Sequence, residues 1–254
     1  MSERTARQVA GGARVDAILL AGGRGARLRP YSAVLPKPLM PLGDMPVMEI
    51  LLRRLRRQGL THLVICTGHL SHLIEAFFGD GARFGVQLHY AREDRPLGTA
   101  GPIRLIENLG DPFVVINGDL LTTLDLAALL ACHRNNGADA TIAVYPRDVQ
   151  IDFGVLEVGP DGYLKEYREK PRYQFDVSMG VYVFRRRVRE LIATGERLDI
   201  PELVGRIQAR GGRVACFRSE CYWLDIGRPD DYARAQEEFE RDPSIFLPAD
   251  DEEP

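Results

Sequence analysis

The feature that most constrains this chain is an alternation, over roughly its first 145 residues, of short apolar runs with stretches of helical period. "VDAILLA" (15–21), "THLVICTG" (61–68), "VQLHYA" (86–91), "PFVVINGD" (112–119) and "DATIAVY" (139–145) read as buried strands. Between them, "VMEILLRRLRRQG" (47–59), "SHLIEAFFGDG" (71–81), "TAGPIRLIENLG" (99–110) and "LDLAALLACHRNNG" (124–137) read as helices with glycine or asparagine stops. Strand–helix alternation at this spacing predicts right-handed crossovers, hence an α/β, Rossmann-like, mostly parallel sheet with helices on both faces.

The second half changes character. "FGVLEVGPDGYLKEYREKP" (153–171) reads as a hairpin turning at "GPDG", and "VSMGVYVF" (177–184) as another strand. Helices are expected near 185–193 and 200–210, short strands in "RVACFR" and "CYWLDIG", and a closing amphipathic helix in "RPDDYARAQEEFERD". The expected organisation is a flexible leader over 1–14, one domain over 15–241, and an acidic tail over 242–254. Within the domain, a nucleotide-binding half of about 15–145 precedes a substrate-binding half of about 146–241.

The first strand runs into "LLAGGRGARLRP", with three glycines in four residues and three arginines threaded through the turn. No Lys-Ser/Thr pair follows, so this is not a Walker A loop, and the spacing is not G-x-G-x-x-G. What remains is G-G-x-G-x-R: Gly22, Gly23 and Gly25 let main-chain N–H groups approach an anion, and Arg27 supplies charge-assisted donors. Next, "LPKPLMPLG" holds Lys37 between two prolines that stiffen the strip, a rigid point charge suited to a phosphate. Lysine is scarce: of 33 basic residues only Lys37, Lys165 and Lys170 are lysines. Codon bias accounts for arginine on the surface, and a surviving lysine marks a place for a compact charge rather than a planar fork.

Taken together, the loop and the P-K-P strip resemble the opening of the sugar-1-phosphate nucleotidyltransferases. "PLGTAGP" (96–102), "VINGD" (115–119), "FGVLE" (153–157), "EKP" (169–171) and "WLDIGRPDDY" (223–232) are similar to later motifs of that family, in order, from about Val15 to Phe239. The resemblance implies the nucleotide-diphospho-sugar transferase type of fold. It also implies a reaction in which a sugar 1-phosphate attacks the α-phosphorus of a nucleoside triphosphate in line, releasing pyrophosphate. Two anions must meet, so positioning and charge neutralisation carry the catalysis and no protein nucleophile is required.

By the same likeness, Arg27 and Lys37 hold the triphosphate, while Asp119 and Asp225 bind Mg²⁺; these four are the expected catalytic residues. The main chain of Ala21 and Gly22, with Gly23, Gly25, Gly98 and Thr99, follows the nucleotide. Lys170 grips the sugar phosphate, Glu169 accepts hydrogen bonds from sugar hydroxyls, and Gly154 lies beside them. The implied substrates are thus a nucleoside triphosphate and a sugar 1-phosphate. "LGTAGP" is most similar to mannose- and heptose-1-phosphate guanylyltransferases, which favours GTP. Where the family has an asparagine facing the sugar, this chain has Ser178 followed by Met179, a departure that points away from an ordinary hexose. The alternatives are thymidylyl, uridylyl or adenylyl transfer to a hexose 1-phosphate, transfer to an acceptor such as phosphocholine, or a non-catalytic NDP-sugar-binding regulatory subunit. A regulatory relative usually loses charged site residues; here Arg27, Lys37, Asp119, Lys170 and Asp225 are all present. The left-handed β-helix that follows this domain in many relatives is not expected.

Composition excludes other classes. A net charge of −3 gives no reason to expect nucleic acid, and no apolar run approaches a membrane span. Four cysteines without C-x-x-C spacing, and a start without an apolar signal core, read as a cytoplasmic protein with reduced thiols. "CTGHLSH" spaces Cys66, His69 and His72 three apart, yet no second ligand cluster accompanies them, so no metal is assigned there. Assembly as a homo-oligomer is compatible with all of this.

Overall fold

The computed structural model describes residues 14–23, 25–28 and 30–247. Most of the expected leader, Arg24 and Arg29 of the glycine loop, and residues 248–254 of the expected tail lie outside the described residues.

A seven-stranded sheet forms the centre, in the order β12-β8-β11-β6-β1-β4-β5. Its strands are β1 (Val15–Ala21), β4 (His62–Thr67), β5 (Gln87–Arg92), β6 (Leu109–Asn117), β8 (Ala140–Gln150), β11 (Arg172–Phe184) and β12 (Val214–Arg218). Two-residue strands β2 (Pro41–Leu42) and β3 (Met45–Pro46) form a separate pair, as do β7 (Leu120–Thr122) with β13 (Trp223–Asp225) and β9 (Val155–Val158) with β10 (Leu164–Arg168). Neighbours in the sheet are parallel except β11, which runs antiparallel to both β6 and β8. The mostly parallel expectation therefore holds, with one reversed strand.

Side chains alternate along β1 between two cores. Ala17 and Leu19 face one formed with α1 (Val47–Arg57), α2 (Ser71–Phe78) and α3 (Leu126–Asn136). Ile18 faces the other, formed with 3₁₀ turns at Gly101–Leu105 and Arg186–Leu191 and with α4 (Ile200–Ala209). Period-2 alternation with both faces covered explains why the centre of β1, Ala17–Ala21, is an unbroken apolar run. Local signals agree: Asp125 caps α3 by accepting from the Ala128 N–H at 2.9 Å, and Gly137 closes it in the left-handed region.

The structure corrects three expectations. Within 99–110 there is no α-helix: Gly101–Leu105 form a 3₁₀ turn, and Leu109 already belongs to β6. The N–H groups of Ala100 and Gly101 donate to the Leu198 carbonyl at 2.9 and 3.1 Å, which ties the start of the turn to the segment that leads into α4. Residues 186–191 are likewise 3₁₀. Within residues 242–247, expected in the acidic tail, Phe246 is packed: it is 2% exposed, meets Tyr222 edge-on and lies tilted against Phe239 of α5 (Pro229–Arg241). An aromatic side chain of that size stays out of water once two rings offer it a surface.

Beyond the sheet, β8 and β11 continue as a ribbon from Tyr145–Val177 to Gln150–Arg172, and the β9–β10 hairpin lies between them in the chain. Its turn closes as expected, the Gly162 N–H donating to the Gly159 carbonyl at 3.0 Å.

Candidate functional site

A cleft of about 440 Å³ opens at the carboxyl ends of β1 and β6. The chain leaves β1 toward β4 and β5 on one side and returns to β6 on the other, so this is the point where strand order reverses and ligands of α/β sheets bind. Ala21, Gly22, Gly23, Gly25, Arg27, Lys37, Gly98, Thr99 and Asp119 all line it, so every nucleotide-side candidate but Asp225 is brought to one cavity.

Each position has a local cause. Gly25 has φ +59°, and a Cβ there would lie 3.0 Å from that of Ser32, whose hydroxyl donates to the Gly25 carbonyl at 2.7 Å. Lys37 opens a 3₁₀ turn between Pro36 and Pro38. Asp119 follows β6 by two residues. Asp225 arrives from far along the chain because β13 pairs antiparallel with β7, setting Asp225 opposite Leu120, and the Ile226 N–H donates to the Asp119 carbonyl at 3.3 Å. Pairing of two three-residue strands thus joins the two carboxylates.

The Lys37 ammonium forms an ion pair with Asp119 and lies 3.8 Å from Asp225 Oδ1. Burial, and then the charge of Asp119, raise the Asp225 carboxyl above its ordinary value, while Lys37 and Arg27 oppose the rise. Gly227 packs against all of this: a Cβ there would lie 2.8 Å from Asp225 Oδ1, 3.1 Å from Arg27 Nη2 and 3.2 Å from Lys37 Nζ. Two cations and two carboxylates converge at one rim of the cleft. Two close carboxylates that repel one another are a hard-oxygen donor pair that fits a small dication, with phosphate and water oxygens to complete it.

Gly98 and Thr99 are held by α4. A Cβ on Gly98 would meet the Leu198 carbonyl, the Thr99 N–H donates to Asp199 Oδ1 at 2.9 Å, and the Thr99 hydroxyl accepts from the Ile200 N–H at 2.9 Å.

The sugar-side candidates form a separate group outside the lining of this cleft. Gly154 packs against the Tyr167 ring, and the Tyr167 hydroxyl donates to Glu169 Oε2 at 3.1 Å. Lys170 beside them is exposed and has φ +43°. Ser178 is exposed on β11, its hydroxyl 3.0 Å from that of Tyr182. Met179, expected to crowd the sugar, points into the core and is 0% exposed. Successive strand residues face opposite ways, so it cannot share the side of Ser178.

Cys66, Glu93, Asn117 and Gly227 are among the cleft residues that escaped the sequence reading of the site. Asn117 and Gly227 lie inside the motifs "VINGD" and "WLDIG" and were legible there. Glu93, in "REDR", carries no signal beyond that of a solvated turn.

Among the described residues no helix is long and apolar enough to cross a membrane. Residues 16–242 match the Nucleotidyl transferase family model. The chain is 34% identical over 241 residues to a UTP--glucose-1-phosphate uridylyltransferase of Synechocystis sp., covering 87% of this chain but 62% of that protein. It is 30% identical over 229 residues to a D-glycero-alpha-D-manno-heptose 1-phosphate guanylyltransferase of Aneurinibacillus thermoaerophilus, covering 89% of this chain and 99% of that one. Crystalline HddC from Yersinia pseudotuberculosis superposes with a TM-score of 0.69 at 26% identity, covering 89% of this chain and 99% of HddC. The chain spans less than two thirds of the Synechocystis protein, yet the family match runs from β1 through the cleft to the end of α5. By that match the chain belongs to the nucleotidyl transferase family.

Proposed function

We propose that the chain transfers a nucleoside monophosphate from a nucleoside triphosphate to a sugar 1-phosphate, giving an NDP-sugar and pyrophosphate. The observation that carries this reading is the convergence of Arg27, Lys37, Asp119 and Asp225 at the strand-order switch point, beside a glycine loop open to an anion. No nucleophile–base pair is needed, because the sugar phosphate itself attacks the α-phosphorus and pyrophosphate departs. Arg27 and Lys37 neutralise the triphosphate and the charge that gathers on the leaving pyrophosphate. At Gly22, Gly23 and Gly25 the main-chain N–H groups can approach the phosphates.

Asp119 and Asp225 would hold Mg²⁺. When bound, that ion neutralises phosphate charge and fixes the in-line geometry. On this reading the half of about 15–145 binds the nucleotide and that of about 146–241 binds the sugar, with Gly154, Glu169, Lys170 and Ser178 on the second. Two groups of residues on separate elements suit two substrates that must meet.

GTP with a mannose- or heptose-type sugar 1-phosphate is the preferred pair, supported by "PLGTAGP" and by similarity to the heptose guanylyltransferase. Uridylyl transfer to a hexose is the competing pair, supported by similarity to the Synechocystis protein. The test is pyrophosphate release with Mg²⁺ across the nucleoside triphosphates, each paired with hexose and heptose 1-phosphates. One strongly preferred pair is the expected result. Absence of pyrophosphate with every pair would sink the proposed reaction.

A further inference from the structure

The β9–β10 hairpin has two unlike faces. Cross-strand pairs Glu157–Glu166 and Val155–Arg168 share one of them, where Arg168 Nη2 lies 2.7 Å from Glu166 Oε2 and 3.8 Å from Glu157 Oε2. Pairs Leu156–Tyr167 and Val158–Leu164 share the other, since side chains alternate along each strand and paired residues point the same way. On that face Leu156 is 54% exposed, Val158 59%, Leu164 57% and Tyr167 58%. The four side chains carry one polar group, the Tyr167 hydroxyl, and it already donates to Glu169 Oε2. Among the described residues, β9 and β10 pair with each other and with no other strand.

An antiparallel pair of this pattern turns its apolar face to a core and its polar face to water. Here the apolar face is the open one, and a two-stranded hairpin without such packing is marginally stable in water. The substrates do not cover it. None of the four residues lines the cleft, and a sugar phosphate presents hydroxyls and charge, to which three aliphatic side chains have no answer. The size of the face points to a protein: four large side chains more than half exposed amount to on the order of 400 Å² of apolar surface, the scale at which a patch marks an interface. A stable dimer buries about 800 Å² on each partner, a little over half of it apolar, so this face supplies most of the apolar share. Charge then narrows the occupant. The hairpin's ions all lie on the opposite face, so the matching surface is apolar and uncharged. This chain carries such a surface in one region: of the twelve large apolar side chains exposed among the described residues, eight fall between Val149 and Phe175.

We propose that the apolar face of the β9–β10 hairpin is an interface between two copies of this chain, hairpin on hairpin about a two-fold axis. A two-fold contact needs a surface that complements itself, and a two-by-two block of uncharged side chains does so. Laid face to face, the two hairpins form a small sandwich whose sheets lie about 10 Å apart, with Leu156, Val158, Leu164 and Tyr167 of each copy in its seam. The interface does not depend on the transfer reaction.

The experiment is sedimentation equilibrium of the full chain over a concentration series, without substrate, for the wild type, Leu164→Glu, Leu164→Lys and an equal mixture of the two variants. The wild type should move from the mass of one chain toward that of two as concentration rises. Leu164 is exposed in the single chain, so a charge there leaves the fold intact but is buried without a partner when two copies meet. Each variant alone should therefore associate about 100-fold more weakly or worse. In the mixture a glutamate and a lysine share one seam, and the mass of two chains should return. That rescue separates a second copy from any other apolar occupant. A wild type that keeps the mass of one chain across the series overturns the proposal. So does a dimer that survives both charges, because its contact then lies elsewhere. If the variants do not fold, hydrogen exchange of the wild type decides alone: amides of residues 155–168 should gain protection as concentration rises, and concentration-independent exchange there overturns the interface.

Discussion

Lys37 and Asp119 are ion-paired although 82 residues separate them in the chain, and the same ammonium lies 3.8 Å from Asp225. A single compact charge sits between two carboxylates. An arginine has a longer stem and a planar fork that does not fit the space of a compact ammonium, which is already tight: even a Cβ on Gly227 would lie 3.2 Å from Lys37 Nζ. Lys37→Arg is therefore expected to lose about 100-fold or more in pyrophosphate release, the scale of removing one aligned electrostatic donor. Wild-type turnover in that variant would undo the argument from lysine scarcity.

Asp119→Asn removes one of the two expected Mg²⁺ ligands while keeping the side chain's shape. Turnover should fall by orders of magnitude, and the Mg²⁺ needed for half-maximal rate should rise. The far-ultraviolet spectrum and the thermal midpoint should stay near those of the wild type, since Asp119 lies at the rim of a cleft rather than in a core. Unchanged turnover across a Mg²⁺ titration would remove the metal assignment.

On the sugar side, a methyl group at Gly154 collides with the Tyr167 hydroxyl and so disturbs the partner of Glu169. Gly154→Ala should raise KM for the sugar 1-phosphate about 10-fold, as a lost hydrogen bond to a charged group would. KM for the nucleoside triphosphate should not change. Equal effects on both substrates would mean that this group does not belong to the sugar alone.

Phe246 lies past the boundary expected at residue 241, and its ring centroid is 5.0 Å from Tyr222 and 5.6 Å from Phe239. Phe246→Ala should destabilise the fold by about 3–5 kcal/mol, the range for truncating a buried phenylalanine. Denaturant unfolding measures this. A loss within 0.5 kcal/mol, the scale of an ordinary surface substitution, would mean that residues 242–247 act as a tail after all.

A surface pair supplies a pH signature. The Arg206 hydrogen bond, then a second from the Ala193 N–H, hold the Glu196 carboxyl down at about 2 against an ordinary 4.5. A carboxyl depressed by folding contributes stability above its unfolded value and loses that contribution as pH falls through the folded one. Glu196→Gln should thus unfold at a slightly lower temperature than the wild type at pH 7, by a small margin because solvent screens the pair. Calorimetric scans should show the gap closing between about pH 4.5 and 2. A gap that persists at pH 2 would assign it to shape rather than charge.

The strands were legible because a strand buried on both faces is apolar through its centre, as Ala17–Ala21 of β1, Leu63–Cys66 of β4 and Phe113–Ile116 of β6 are. The stretch 99–110 was not, because its start is held by the Leu198 carbonyl, nearly 100 residues further along the chain, a contact no local pattern carries. Lys37 and Asp119 were legible from motifs. Glu93 was not, since a charged residue among charged neighbours looks the same whether it faces water or a cleft.

The sequence by itself determined the strands and the glycine loop, which follow from local periodicity and residue chemistry, and it pointed to the charged residues of the site through the resemblance of their motifs. Only the tertiary structure decided that β7 pairs with β13 to set Asp225 beside Asp119, that Met179 turns into the core while Ser178 faces out, and that Glu93 enters the cleft against Gly22. These depend on contacts between residues far apart in the chain, and no local pattern carries the register of a distant strand or the direction of a side chain beyond its end.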